Sequence, residues 1–174
     1  MAVDGSLICY QGIDPKIATD AYVAKGSIIV GSVEINNYAS VWFNCVIRGD
    51  INNITIGCGT NIQDGTVIHV SGQEGQTIIG QDVVIGHMSL IHACKLHDGC
   101  MIGMGATVMD GAIVETGAWV GAGALISPGK LVKSGEVWLG KPAKPVREIT
   151  NFELNEISRI VRDYKELARN YIDK

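Results

Sequence analysis

The chain has 174 residues, 22 of them Gly and only 2 Phe, with 18% charged residues and a formal net charge of −4; that length suits one domain. No basic block suggests a nucleic-acid surface. Mean hydropathy is positive at +0.21, but the longest run free of Asp, Glu, Lys and Arg, Thr116 to Gly129, is 14 residues, short of the ~18 of a membrane span.

The N-terminal MAVDGSLICY carries Asp4 and no basic segment, so it does not read as a secretory signal. Five Cys without a CxxC pair read as reduced thiols in a cytoplasmic compartment. Residues 1–16 are expected to form an N-terminal cap. From Ile17 an aliphatic residue recurs every six positions: Val23, Ile29, Ile35, Val41 and Ile47. The period resumes at Ile56, Ile62 and Ile68, again at Ile79, Ile85 and Ile91, and runs from Leu96 to Trp138. Four places later stand small or β-branched residues, such as Ala21, Ser27, Thr66 and Ala106. A period of six fits neither an amphipathic helix nor a hairpin. It fits a solenoid of short strands, each turn pointing one aliphatic and one small residue inward. This pattern resembles the hexapeptide-repeat family, in which three turns make one coil of a left-handed parallel β-helix. The expected fold is therefore an all-β solenoid over 17–147.

Two breaks interrupt the period. Ile47 to Ile56 is nine residues, three too many. Ile68 to Ile79 is eleven, and its excess, Ser71 to Gln76, has no aliphatic and reads as a loop thrown from a corner. Ile91 to Leu96 is a shorter turn of five. After Gly140, Lys141-Pro142-Ala143-Lys144-Pro145 reads as an extended connector. Residues 148–174 are expected to form a C-terminal α-helix. Thr150 and Glu153 form a capping box, and Leu154, Ile157, Val161, Tyr164, Ala168 and Tyr171 make an apolar stripe for packing on the solenoid or on a neighbour.

All four His fall between His69 and His97. With 71–76 read as a loop, Arg48, His69 and His92 each follow their aliphatic by one place on the same face of successive coils. Rungs are about 4.8 Å apart, so His69 and His92 would stand in one column, close enough to share a metal ion. His87 sits on the preceding face and would reach the metal of an adjacent subunit, which predicts a homotrimer with sites at its interfaces. His97 reads as a surface residue.

Val46-Ile47-Arg48-Gly49-Asp50, Asn61-Ile62-Gln63-Asp64-Gly65, Val67-Ile68-His69 and Gly86-His87-Met88-Ser89-Leu90-Ile91-His92 together resemble the gamma-class carbonic anhydrases. The resemblance implies that His69 and His92 of one subunit and His87 of its neighbour bind Zn²⁺, or Fe²⁺ or Co²⁺. It implies reversible hydration of CO2 to bicarbonate by metal-activated hydroxide. Gln63 would orient the nucleophile and Asn61 would hold its amide. Arg48 and Asp50 match an inter-subunit ion pair; Asp64 matches an acidic position beside the glutamine and equally suits a loop. Tyr164 matches a tyrosine that approaches substrate and equally suits the helix stripe. The chain departs from the family at the proton shuttle: Ile51 follows Asp50, and Glu74 is the only acid of the 71–76 loop. Two other functions fit the same repeat: a CoA-dependent acyltransferase, suggested by Gly140, Pro142, Ala143 and Lys144, and a catalytically weak metal-binding scaffold.

Overall fold

The structure is a computed structural model and describes residues 3–72 and 75–173. The hexads wind into a parallel β-solenoid with three faces. On the first face Tyr22–Val23, Ser40–Val41, Asn61–Ile62, Val84–Ile85, Met101–Ile102, Trp119–Val120 and Glu136–Gly140 stack in parallel. The second and third faces form one twelve-stranded sheet, because two long strands, Ile28–Ile35 and Val46–Ile56, run through the corner between them. The core follows directly from the period. Each hexad aliphatic from Val23 to Val132 is at most 1% exposed, and burying such a side chain contributes about 1.5–3 kcal/mol. The small residues four places on, including Ser27, Thr60, Thr66 and Cys100, are buried with them. Ile17 and Trp138, at the two ends, are less fully enclosed.

The first break does not interrupt a strand. Ile28 to Gly31 pair with Val46 to Gly49, and Val33 to Ile35 pair with Ile54 to Ile56. The three extra residues lie between Gly49 and Ile54, where they bulge while the backbone stays extended. The second break does leave the coil. Val67–His69 and Thr77–Ile79 lie on successive faces, and Thr77 Oγ1 donates to His69 O at 2.6 Å across the loop's base. Register is therefore kept on both sides.

The sequence expectation of an extended connector after Gly140 is corrected by the structure. Ala143–Glu148 is a strand that folds back antiparallel on Glu136–Gly140. Pro145 lies within that strand and has no N–H to give. At the free edge of a sheet that loss is tolerated.

The helix Asn151–Ile172 has Thr150 as its N-cap, with both halves of the capping box formed. It lies along the first face. Ile157 and Val161 pack with Val84 and Met101, and Ala168 packs with Tyr22, Ala24 and Trp42. Lys165 Nζ also reaches Asp82 Oδ1 at 2.6 Å. No helix among the described residues is long and apolar enough to cross a membrane.

Candidate metal centre

The second face carries the His column. Arg48 pairs with His69 and His69 with His92 in strand register. Their side chains point outward because Ile47, Ile68 and Ile91 before them point inward. His69 Nδ1 lies 3.3 Å from His92 Nε2. Two nitrogens bound to one tetrahedral Zn²⁺ at ~2.0–2.1 Å are themselves about 3.3–3.4 Å apart. The spacing therefore fits two ligands of one ion.

The outer nitrogens are occupied. His69 Nε2 lies 3.0 Å from Asp50 Oδ1, and His92 Nδ1 lies 3.0 Å from Asp110 Oδ2. Carboxylates on the far nitrogen are the usual support of metal-binding imidazoles. Asp50 also pairs with Arg48 within the same chain. Burial works to raise the Asp50 carboxyl, but hydrogen bonds with His69 and Arg48 outweigh it and hold it below the ordinary value of 3.8.

His87 stands elsewhere. It occupies the corner that leads onto the second face, and its Nδ1 lies 2.8 Å from Asp64 Oδ2. Asp64 stacks under it, since Met88 N donates to Asp64 O at 2.9 Å. Next to Asp64, Gln63 is 6% exposed and donates from Nε2 to Asn61 Oδ1 at 3.1 Å. That contact fixes the amide and leaves the Gln63 carbonyl oxygen as the end that Asn61 does not use. Asn61 Nδ2 is buried without a partner. The sequence-selected residues thus form two groups at opposite edges of one face. Gln63, Asp64 and His87 are on the leading edge, with Asn61 just before them on the first face; Arg48, Asp50, His69 and His92 are on the trailing edge. Among the described residues no three His, Cys, Asp or Glu side chains gather as a set fit for a metal ion.

Tyr164 is half-buried on the helix, its ring 5.3 Å from that of Trp42. Burial, and secondarily the Asp64 charge, raise its phenol above the ordinary 10.0. It thus sits in the aromatic packing and on the Asp64 side of the molecule. Glu74 lies outside the described residues. Cys94 is buried against the core, and burial pushes its thiol up to about 12.

Two features escaped the sequence reading. Asp110 lies one residue past the next-coil equivalent of His92, since Ile91 pairs with Val108, so it falls at the corner just after the His column. Met88, beside His87, has φ 59 and is 71% exposed; a large side chain rarely adopts that backbone without need. The equivalent corner one coil below is Gly65, at φ +70, where an added Cβ would meet Met88 Sδ at 2.4 Å. With Ile28, Val67 and Leu90, each 37–38% exposed, Met88 makes an apolar border along the leading edge.

No family model matches the chain. It is 48% identical over 152 residues, covering 87% of this chain and 95% of the other, to a probable carbonic anhydrase of Methanocaldococcus jannaschii. It is 44% identical to the mitochondrial gamma carbonic anhydrase 2 of Arabidopsis thaliana over 89% of this chain. The match spans 58% of that longer plant protein. Among solved structures, a hexapeptide transferase family protein from Anaplasma phagocytophilum superposes with a TM-score of 0.92 at 42% identity, covering 98% of each chain.

Proposed function

The chain belongs to the gamma-class carbonic anhydrase family, and from that premise we propose that it is a metal-dependent enzyme that hydrates CO2 reversibly to bicarbonate. The observation that carries this reading is the His69–His92 pair, in register and 3.3 Å apart at its facing nitrogens. Each chain offers two imidazoles on the trailing edge and a third, His87, on the leading edge. A neighbouring copy that sets its leading edge against this trailing edge completes a three-imidazole set. Repeated head-to-tail, that contact closes into a ring, and the apolar border of Ile28, Val67, Met88 and Leu90 supports a homotrimer.

An all-imidazole set suits Zn²⁺, and Fe²⁺ or Co²⁺ as well. A bound divalent ion would supply the Lewis acidity that brings the pKa of water near 7. The chain's own residues then do the rest. Asp50 and Asp64 hold the imidazoles of His69 and His87 in orientation. Gln63, its amide fixed by Asn61, presents a carbonyl oxygen that orients the nucleophile. Arg48 and Asp50 form the wall of the site. Proton export is assigned to Glu74, and Tyr164 to the approach of substrate. The five free thiols support a reducing compartment such as the cytoplasm.

Stopped-flow CO2 hydration on Zn²⁺-loaded and anaerobic Fe²⁺-loaded protein tests this. The expected result is a rate well above buffer that His92→Ala returns to the buffer rate. A parent rate no greater than buffer overturns the enzymatic reading. Saturable thiol release from acetyl-CoA would instead favour acyl transfer. Sedimentation should give three times the 18.5 kDa of one chain.

A further inference from the structure

Asp110 makes to His92 the contact that Asp50 makes to His69, although it comes from a different kind of position. Asp50 lies on the extended strand Val46–Ile56, whereas Asp110 lies two residues past Val108, where the chain turns a corner. Its backbone is fixed from both neighbouring coils. Gly129 N donates to Asp110 O at 2.8 Å, and Gly111 N donates to Ala93 O at 2.7 Å. The side chain takes no part in those bonds. It reaches His92 Nδ1 at 3.0 Å while its own surface is 41% exposed. A corner carboxylate this open to water gains little by burial, so its direction needs another explanation.

His92 supplies one. An imidazole that gives its Nδ1 proton to a carboxylate keeps its lone pair on Nε2, and Nε2 is the nitrogen that faces His69. The carboxylate also fixes the ring plane and makes the far nitrogen a better donor. Asp50 divides its carboxylate between Arg48 and His69; Asp110 directs its own to His92. We propose that Asp110 is the positioning residue that makes His92 a metal ligand, holding the tautomer protonated at Nδ1 so that the Nε2 lone pair is available to a divalent transition ion at the His69–His92 pair. This rests on the metal reading above and adds to it a residue from the next coil. The site then draws on four successive coils of one chain: Asp50 on the first, His69 and His92 on the next two, and Asp110 on the fourth.

The test is metal binding by the full chain, measured on metal-free protein by competition for Zn²⁺ with a chromophoric chelator. Each variant's urea midpoint is measured without metal, and its visible spectrum with Co²⁺. Asp110→Ala should weaken Zn²⁺ binding about 10–100-fold and alter the Co²⁺ bands. Asp110→Asn should lose less, because its amide oxygen still accepts from Nδ1. Both metal-free midpoints should match the parent, since the corner is held by backbone bonds; Glu34→Gln, exposed on the third face, should change nothing. Affinity of Asp110→Ala within twofold of a metal-binding parent overturns the role of Asp110 and leaves the metal reading standing. A loss of affinity matched by a lower metal-free midpoint also overturns it, as a purely structural effect. A parent that binds no Zn²⁺ or Co²⁺ overturns the metal reading and this role together.

Discussion

On the first face, the outward residues Tyr22, Ser40, Asn61 and Val84 are at most 1% exposed, because the helix lies over that side of the solenoid. On the second, Ile28, Val67 and Leu90 occupy the same hexad position and remain 37–38% exposed. Both columns are one residue before the inward aliphatic, and both are in strict parallel register. The repeat that builds the core therefore does not decide what happens outside it. The covered face is finished by this chain's own helix and serves stability. The open face keeps its imidazoles and apolar border accessible, which suits a site completed by another copy.

The most severe way to break the contrast is to uncover the first face. Trp42 is 3% exposed and has ring contacts with Tyr22, Phe43, Tyr164 and Tyr171. Trp42→Ala should cost about 3–5 kcal/mol in urea unfolding, whereas His92→Ala on the open face should leave the metal-free chain within about 0.5 kcal/mol of the parent. Equal losses would mean that the two faces are not so different. A milder change loosens only the start of the helix. Thr150→Ala removes the N-cap side chain and should cost about 1 kcal/mol, read from the urea midpoint and helical circular dichroism.

The smallest effect concerns charge at that same helix end. Arg147, foremost, and the Thr150 backbone N–H lower the Glu153 carboxyl from 4.5 to about 2. A carboxyl depressed in the folded state stabilises above its ordinary pKa and loses that contribution as pH falls through the folded one. The gap in urea midpoint between parent and Glu153→Gln should thus be present at pH 7, shrink below about pH 4.5 and close near pH 2. A gap that is independent of pH would show that the pair does not anchor the helix.

Much of this architecture is legible in the residues. The aliphatics from Val23 to Val132 are buried as their spacing requires, and the His69–His92 column follows once 71–76 is taken as a loop. The Thr150–Glu153 capping box needs only four consecutive residues and is formed. The reading failed where neighbours decide. The segment read as a connector after Gly140 is a paired edge strand, which only its contact with Glu136–Gly140 reveals. Three surplus residues after Ile47 looked like an interruption, yet they bulge inside a continuous strand. Asp110 carried no local mark of chemistry; only the fold brings this corner residue of the next coil against His92.

The sequence by itself determined the solenoid, its register and the faces on which the candidate ligands stand. Those properties follow from one inward aliphatic per hexad, a rule that each turn obeys locally. Only the tertiary structure decided which nitrogen of each imidazole is held and which is free. It also decided that the helix closes the first face while leaving the second open. Those outcomes depend on side-chain directions and on contacts between residues as far apart in the chain as Tyr22 and Tyr171, and no local spacing encodes them.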